Sequence, residues 1–445
     1  MDREGAAALL RLIGEARDLP LGDPDRLRIE HAALALVRDG QRRRRRERRR
    51  DAAAADASVL AATAMGAVDR VIDAPVGPGP GADAGPDAGG RLRRTRRCYI
   101  CKSGFVHVDG FYHLLCPSCA ALNRARRTAR ADLSGRRALV TGGRTKIGHH
   151  VALKMLGDGA HVTVTTRFPR DAARRFAEAG DRADWADRLR IVGIDLRDPR
   201  QVIALTDHLL EGGDPLDILI NNAAQTLRRP PSAYAALLEG ERLGLPAGAW
   251  SAPGFSPVRA GALPGGEPVP LDGDPHLPDV SGLLPDLSAG NSWSARIGEI
   301  DAAEVLEVQL VNAVAPFLLI DRLLPLLRAT RSPRRYVVNV SAVEGQFTVA
   351  NKTGRHPHTN MAKAGLNMLT RTSAADLAKQ GIYLCSVDTG WITDENPLPT
   401  RERLNRRTPL DVIDGAARVY DPIVRGESGD PVHGVFLKDY AESPW

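Results

Sequence analysis

The sequence predicts an α/β protein built on a doubly wound parallel sheet, preceded by a helical region and a small zinc module. Three observations support this prediction. From Leu133 onward, apolar strand-like segments alternate with amphipathic helical segments, which is the order that a parallel sheet requires. A glycine-rich turn follows the first of these strands. Two Cys-x-x-Cys pairs, typical of a metal site, come before it.

Length and composition limit the classes of protein to which this chain can belong. At 445 residues the chain is long for one domain, and its 43% apolar content can fill a core. Aromatic residues make up only 4%, so that core is expected to be mostly aliphatic. No apolar run approaches the roughly 20 residues of a membrane helix. The stretch from Met1 to Glu4 lacks the start of a signal peptide. A cytoplasmic protein with no membrane partner is therefore expected.

Residues 1–70 are expected to form a basic helical region. Apolar residues recur at helical spacing on both sides of a break between Pro20 and Pro24. The net charge of the chain is +7, and Arg42–Arg50 contains eight arginines and one glutamate. This run is either a site for nucleic acid or another anionic partner, or a solvated helix face. The excess of arginine over lysine throughout the chain favours the solvated face. Residues 71–94 follow as a flexible Gly- and Pro-rich linker.

Residues 95–130 are expected to form a zinc module that resembles a treble clef or zinc ribbon. Each Cys-x-x-Cys pair aims two thiolates at one ion, and four cysteines close a tetrahedral Zn²⁺ shell. A closed shell favours a structural metal over a catalytic one. The expected ligands are Cys98, Cys101, Cys116 and Cys119. His107 and His113 lie between the pairs and are alternative ligands, whereas Cys385 is expected to be a small core residue.

The stretch from Thr141 to Gly148 predicts a dinucleotide site of the Rossmann type. It joins an apolar strand, 137–141, to an amphipathic helix. In that context the backbone amides of the turn and the positive end of the helix can hold a pyrophosphate. The other strands are expected at 161–166, 189–195, 216–221, 335–341 and 382–388.

The motifs of residues 133–445 resemble those of the short-chain dehydrogenase/reductases (SDRs). In the order of that family, the chain contains Thr141-Gly142, Ile147-Gly148, Asn221-Asn222-Ala223-Ala224, Asn339-Val340-Ser341 and Lys363-Ala364-Gly365. The resemblance implies an oxidoreductase that moves a hydride between a nicotinamide and a carbonyl or alcohol carbon. It also implies a homo-oligomer, formed through the helices that flank the lysine motif.

The resemblance further implies which residues contact the cofactor. Lys146 replaces the central glycine of the turn, as it does in some SDRs that use NADPH, and Arg144 adds positive charge nearby. The second strand ends at Arg167 without the acidic residue that holds both ribose hydroxyls, which favours NADP(H) over NAD. The expected contacts are Thr141, Gly142, Arg144, Lys146, Ile147, Gly148, Arg167, Asp195, Leu196, Asn222, Ala223, Lys363 and Thr393.

Two of the four catalytic positions depart from the family. Asn312 and Lys363 match the family's asparagine and lysine. Thr359 stands where the tyrosine is expected, and Ala342 where the serine is expected. An aliphatic hydroxyl is a far weaker acid than a phenol and reaches less far, so Thr359 cannot replace the tyrosine as proton donor.

Three interpretations of this centre stay open. In the first, the protein is an active oxidoreductase with another proton donor, His358 or its neighbour His356. In the second, it binds NADP(H) without hydride transfer and acts as a cofactor sensor or scaffold. In the third, the register slips and Ser341 is the active serine, although a slip cannot restore the tyrosine. Retention of the asparagine, the lysine and Thr393 favours the first interpretation.

Residues 226–300 form a long insertion after the fourth strand, rich in Gly, Pro and Leu. Loops of this length are commonly functional, and this one follows the carboxyl end of a strand, so it is expected over the reacting centre. Two tyrosines outside the motif, Tyr234 in the insertion and Tyr420 near the C-terminus, are further candidates to supply a phenol. The substrate is not predicted, because SDR substrate pockets are built from variable loops.

Overall fold

The structure, a computed structural model, describes residues 2–77, 89–257 and 278–445. Its helices are α1 (Arg3–Arg17), α2 (Pro24–Ala61), α3 (Pro117–Thr128), α4 (Lys146–Gly157), α5 (Pro169–Ala177), α6 (Pro199–Gly212), α7 (Ala235–Glu241), α8 (Ala302–Gln309), α9 (Ala315–Ala329), α10 (Pro357–Ala378), α11 (Leu398–Leu404) and α12 (Val412–Glu427). Its strands are β1 (Arg91–Arg97), β2 (Gly104–His107), β3 (Arg137–Thr141), β4 (His161–Thr166), β5 (Leu189–Gly193), β6 (Ile218–Asn221), β7 (Trp250–Ser251), β8 (Arg335–Ser341), β9 (Ile382–Asp388), β10 (Phe436–Lys438) and β11 (Ala441–Ser443).

Nine strands form one sheet in the order β11-β10-β9-β8-β6-β3-β4-β5-β7. All neighbouring pairs are parallel except β10 with β11, which forms a closing hairpin. The predicted doubly wound sheet is confirmed, and each predicted strand agrees with the observed one to within two residues at either end. The strands are almost continuously apolar because helices cover both faces of a parallel sheet.

Each face of the sheet has its own core. On one face, α4 and α12 cover the sheet through apolar residues such as Val151, Met155 and Val419. On the other face, α6, α9 and α10 contribute residues such as Leu205 and Leu323. The carboxyl ends of the parallel strands all point to one edge, where a doubly wound sheet binds its ligand.

Helices α8 and α9 form one rod, Ala302–Ala329, joined by a π-helical turn at Leu310–Val314. Within the described ranges, this rod is the one helix long and apolar enough to cross a membrane by length and composition. Half of its most apolar window is buried, with Leu319 and Leu327 packed against the sheet, as in a core helix. The π-helical turn inserts one residue into the helix wall next to Asn312, a distortion often found at functional sites.

The cysteine-rich module packs directly on the sheet domain. Its hairpin, β1 and β2, is antiparallel, and α3 follows the second cysteine pair. The apolar interior of the module continues into Ile392, Leu410 and Val412 of the sheet domain. Strand β1 begins at Arg91, ahead of the expected module start at residue 95. Residues 78–88 of the predicted linker and 258–277 of the predicted insertion lie outside the described residues.

Candidate cofactor and catalytic site

The glycine turn between β3 and α4 is held by the end of β6. Asn222 donates its side-chain amide to the carbonyls of Thr141 (2.9 Å) and Gly142 (3.1 Å). The Thr141 hydroxyl accepts the backbone N–H groups of Asn222 and Ala223, both at 3.0 Å. A Cβ at Gly148 would lie 2.3 Å from the Gly142 carbonyl oxygen, and Gly142 has a φ of +66°. Both positions therefore require glycine, while Thr141 positions the turn from behind.

Lys146 occupies the central position of the turn in a left-handed conformation, with a φ of +52°. A glycine adopts this conformation freely, whereas a lysine there costs about 1–2 kcal/mol. The lysine Nζ lies 3.1 Å from an Asp73 carboxylate oxygen, which comes from the segment after α2. Burial by itself lowers the pKa of Lys146, but Asp73 and Glu395 outweigh burial and leave that pKa raised. The Lys146 ammonium therefore stays charged beside the turn.

A cavity of about 420 Å³ opens at the carboxyl ends of β3 to β6. It runs from the glycine turn to Thr393, in the segment that follows β9. Two of the expected cofactor contacts, Thr141 and Lys363, do not line it. The eleven that do are Gly142, Arg144, Lys146, Ile147, Gly148, Arg167, Asp195, Leu196, Asn222, Ala223 and Thr393.

The two arginines near the turn are not equivalent. The Arg144 guanidinium is buried in an ion pair with Asp171, 2.6 Å away. Arg167 instead lies over two aromatic rings, with its guanidinium carbon 5.5 Å from the centre of Phe168 and 5.0 Å from that of Tyr234. Across residues 2–77, 89–257 and 278–445, no carboxylate forms an ion pair with Arg167. Its charge is thus available to an anionic group in the cavity.

Asn312 and Lys363 lie behind the cavity wall. The Asn312 side chain, in the π-helical turn, accepts the backbone N–H of Gln225 at 2.7 Å and donates to its carbonyl at 2.9 Å. Its neighbour Val311 lines the cavity. Lys363 Nζ is buried and donates to the Val340 carbonyl at 2.8 Å. Burial lowers the pKa of Lys363 to about 8.

The remaining hydroxyl and histidine candidates also lie away from the cavity. Thr359 is buried, and its hydroxyl has no hydrogen-bond partner in the described part of the chain. The Ser341 hydroxyl donates to Asn367 at 2.6 Å. His358 is buried with its Nε2 3.8 Å from a Glu304 carboxylate oxygen. Neither Ser341 nor His358 is brought to the cavity.

The other proposed donors have different surroundings. His356 stacks on Trp293 with ring centres 4.1 Å apart, and its Nδ1 lies 2.7 Å from the Trp293 carbonyl oxygen. Tyr420 is buried and donates to Asp158. Tyr234 lines the cavity beside Arg167. It is the one tyrosine among the residues that line the cavity.

Charged groups that the sequence did not single out surround the Thr393 end. The Thr393 hydroxyl donates to Glu395 at 3.0 Å, and Arg229 forms an ion pair with Asp286 at 3.1 Å. The insertion reaches this end, because Asn291 donates to the Glu395 carbonyl at 2.9 Å. The charged side chains that line the cavity and that the sequence did not single out include Arg229, Asp279, Asp286, Asp394, Glu395 and Arg401. They come from separate loops, so no sequence motif indicates them.

The four cysteines of the module converge on one point. Their Sγ atoms all lie within 4.8 Å of one another, and those of Cys101 and Cys116 are 3.6 Å apart. A tetrahedral Zn²⁺ with bonds of about 2.3 Å separates its sulfur ligands by about 3.8 Å, so this donor set fits one such ion. In the described ranges the cluster contains the four cysteines and neither His107 nor His113. Cys385 is buried in the sheet core.

Comparison with known proteins places the chain in a family. Residues 136–237 match the family model described as short chain dehydrogenase, and residues 282–406 match the one described as enoyl-(acyl carrier protein) reductase. The chain is 33% identical over 350 residues to uncharacterized protein R665 of Acanthamoeba polyphaga mimivirus, covering 74% of this chain and 71% of that protein. It is 27% identical over 169 residues to the C-signal protein of Myxococcus xanthus, covering 37% and 93%.

Among solved structures, the NADPH-bound carbonyl reductase from chicken fatty liver is similar to this chain at 19% identity. The match has a TM-score of 0.46 and covers 72% of this chain and 98% of that one. The family assignment rests on the sequence matches, which include the glycine turn, the Asn-Asn-Ala-Ala motif and the lysine motif. The chain therefore belongs to the short-chain dehydrogenase/reductase family of oxidoreductases.

Proposed function

We propose that this protein is an NADP(H)-dependent oxidoreductase whose proton donor is not at the family's tyrosine position. The observation that carries the proposal is the single cavity that collects eleven of the thirteen expected cofactor contacts. Gly142 and Gly148 leave the room at the turn that a pyrophosphate needs, because a Cβ at either position would collide with the turn or with the end of β6. When bound, the cofactor supplies a hydride to an unsaturated carbon of the substrate.

Preference for NADP(H) over NAD is supported by the end of β4. The sequence there is Thr165-Thr166-Arg167, without an acidic side chain to hold both ribose hydroxyls. Arg167 lines the cavity with no carboxylate partner in the described ranges, so it can pair with a 2′-phosphate. Arg144 contributes less to this preference, because Asp171 already neutralises it.

Arg167→Gln tests this preference against the matched variant Arg174→Gln, which changes a half-exposed arginine on α5. We expect Arg167→Gln to weaken NADPH binding by about 10- to 100-fold, since a hydrogen bond to a charged group is worth about 1.5–3 kcal/mol. NADH binding should be unaffected by either variant. Calorimetric titration of both cofactors measures this. An equal loss for NADPH and NADH in Arg167→Gln would contradict the assignment of Arg167 to the 2′-phosphate.

The residues around Thr393 support a proton donor other than the histidine that the sequence suggested. His358 does not line the cavity, so it is replaced in our proposal by the carboxyl groups that do. Glu395 is the strongest of these candidates, because it accepts a hydrogen bond from Thr393, the residue that matches the family's contact to the nicotinamide amide. A carboxyl group can pass a proton to or from a substrate oxygen within hydrogen-bonding reach. Asn312 keeps the adjoining strand end in place through Gln225.

A second candidate function is NADP(H) binding without hydride transfer. The observation that favours it is the burial of the remaining motif groups, since Thr359, Ser341 and Lys363 are all buried and none of them lines the cavity. A protein of this kind would report on the cofactor through its cysteine module and N-terminal helices, which are joined to the cavity at Asp73 and Tyr99.

Turnover measurements separate the two candidates. The protein is mixed with NADPH and a panel of aldehydes, ketones and enoyl thioesters, and absorbance of the reduced nicotinamide is followed. We expect oxidation of NADPH by at least one class, lost in Glu395→Gln and kept in the exposed control Glu239→Gln. Tight NADPH binding with no oxidation by any class supports the binding protein. Failure to bind NADPH at all contradicts both candidates.

We also propose that the four cysteines hold one structural Zn²⁺. Four convergent thiolates satisfy the whole tetrahedral shell and leave no open position for water. A module of this size has too little apolar surface to fold by itself, so metal binding would supply part of its folding free energy.

A further inference from the structure

The long helix α2 carries its arginine run in full contact with solvent. The helix has 38 residues, none of them buried, and is therefore about 57 Å long. All side chains from Gln41 to Arg50 are exposed. Arg43 pairs with Asp39 at 2.7 Å, and Glu47 is the single acidic residue within the run. The run covers two and a half turns, so arginines point outward around the whole circumference of the helix.

Strand β1 of the cysteine module carries a second set of exposed arginines. Leu92 is buried in the interior of the module, and the other six residues of the strand are exposed. Five of these six are arginines: Arg91, Arg93, Arg94, Arg96 and Arg97. In the part of the chain that the structure describes, none of the five forms an ion pair. Their guanidinium groups are thus available to an anionic partner.

The second set of arginines lies close to the C-terminal end of the first. The backbone N–H of Arg93 donates to the Asp56 carboxylate of α2 at 2.6 Å. Arg50 precedes Asp56 by six residues, which is about 9 Å along a helix. We call residues 42–50 and 91–97 together the arginine surface. It contains thirteen arginines and one acidic residue.

We propose that the arginine surface binds the phosphate backbone of a nucleic-acid duplex. Guanidinium groups pair with phosphate oxygens through two parallel hydrogen bonds, which makes arginine the preferred residue for this contact. A duplex carries one charge per about 1.7 Å, so the roughly 12 Å of the α2 run is matched to about seven phosphates. Contacts of this kind recognise the backbone and not the base sequence.

The other polyanionic partners fit this surface less well. A membrane-binding helix has an apolar face opposite its basic face, whereas residues 42–50 include no apolar side chain, and the exposed Leu27, Leu34, Leu36 and Val37 of α2 precede the run. Single-stranded nucleic acid is bound by stacking of bases on aromatic rings. Within residues 2–77 and 89–130 no Phe, Tyr or Trp side chain is exposed. The duplex is therefore the partner that the observations favour.

The test uses the full-length protein and a fluorescent mixed-sequence duplex of about 25 base pairs, as DNA and as RNA, titrated from about 50 to about 200 mM salt. Two variants lose five positive charges each. The first changes all five arginines of β1 to glutamine. The matched control changes five exposed arginines of the sheet domain to glutamine, namely Arg182, Arg331, Arg371, Arg403 and Arg406. NADPH binding by both variants shows that they are folded.

We expect the protein to bind duplex with an affinity that falls steeply with salt. In the β1 variant the slope of log affinity against log salt should decrease by about 4, because each lost phosphate contact removes about 0.9. The control should keep the slope of the unmodified protein. If the protein binds one of the two duplexes more tightly, that difference identifies DNA or RNA as the partner.

Three results would overturn the proposal. One is the absence of duplex binding at about 50 mM salt by protein that still binds NADPH. Another is an equal loss of slope in the control, which would mean that net charge and not this surface is responsible. The third concerns competition with the labelled duplex. If polyglutamate or phosphatidylserine vesicles compete as effectively as unlabelled duplex at equal charge, the surface would be assigned to an acidic protein or to a membrane.

Discussion

At the scale of single residues, Lys363 shows how burial changes the pKa of a side chain. Its ammonium group is buried behind the cavity with one hydrogen bond, to the Val340 carbonyl. Burial favours the neutral amine and lowers the pKa of Lys363 to about 8, although Glu344 partly opposes this. The charge of this lysine is therefore lost at a pH more than two units below the ordinary value of about 10.4.

This pKa makes stability depend on pH in a defined window. Between about pH 8 and about pH 10.4 the unfolded chain still binds the Lys363 proton while the native state has released it. The unfolding free energy of the protein should therefore rise with pH through this window, relative to that of Lys363→Met. Urea unfolding of both proteins at a series of pH values measures the difference. The exposed Lys379→Met should show no such rise, and a constant difference for Lys363→Met would contradict the prediction.

At the scale of elements, helix phase explains why the sequence located some site residues and misplaced others. Thr359, Lys363 and Asn367 are four residues apart, so they share one face of α10. His358 is offset from Thr359 by about 100° and lies beside Glu304, and the residues of neither face line the cavity. The sequence predicts the order of the motifs along the chain. It does not indicate how the segment that follows β9 contacts the insertion.

The sequence also predicts strands better than it predicts contacts between distant segments of the chain. The strands β3, β4, β8 and β9 were predictable to the residue because a strand buried on both faces leaves a continuous apolar run bounded by polar residues. The edge strand β7 has two residues and leaves no such pattern. The contact of Asp73 with Lys146 joins a Gly- and Pro-rich segment to a turn more than seventy residues later, and no local signal encodes it.

The cysteine module is expected to stabilise the cofactor site through direct packing. The Tyr99 hydroxyl oxygen accepts the backbone N–H of Trp391 at 2.8 Å, two residues before Thr393. Loss of zinc should therefore lower both the thermal midpoint and NADPH affinity. We expect one zinc per chain in the purified protein, lost in Cys116→Ser and kept in the control Cys385→Ala. Elemental analysis and thermal unfolding measure this, and full stability without zinc would contradict a structural role.

Helices α8 to α10 expose apolar side chains on the outside of the molecule. The exposed residues are Leu306, Val314, Phe317, Met361 and Met368. A patch of this kind on adjoining helices is typical of an interface between subunits. We expect the protein to form homo-oligomers through it, and Phe317→Glu to shift the protein to a smaller species in light scattering. Phe347→Glu, an exposed phenylalanine outside these helices, is the control and should leave the mass unchanged.

At the scale of the whole molecule, the cysteine module is joined to the C-terminal part by buried polar contacts. Arg127 of α3 lies 2.5 Å from Asp411 and 3.0 Å from Asp414. The Tyr112 hydroxyl donates to Asp414 at 2.6 Å. Arg70, just after α2, donates to the carbonyls of Thr408 and Leu410. The module and residues 63–77 thus belong to the sheet domain in structure, whereas most of α2 does not.

This division predicts different outcomes for two truncations. Removal of residues 2–50 takes away α1 and the part of α2 beside it, in which Ala16 is the one buried residue, so the thermal midpoint should change by less than about 2 °C, given that about 1 kcal/mol shifts the midpoint of a large domain by 2–4 °C. NADPH affinity should be unchanged, and duplex binding should be weakened. Removal of residues 2–77 also deletes Arg70 and Asp73, which leaves the Thr408 carbonyl and the ammonium of Lys146 without these partners. That truncation should lower the thermal midpoint by several degrees and alter NADPH binding, because unpaired buried polar groups are costly. Thermal unfolding and NADPH titration of the two truncated proteins measure the contrast, and equal behaviour of both would show that residues 51–77 contribute nothing to the fold.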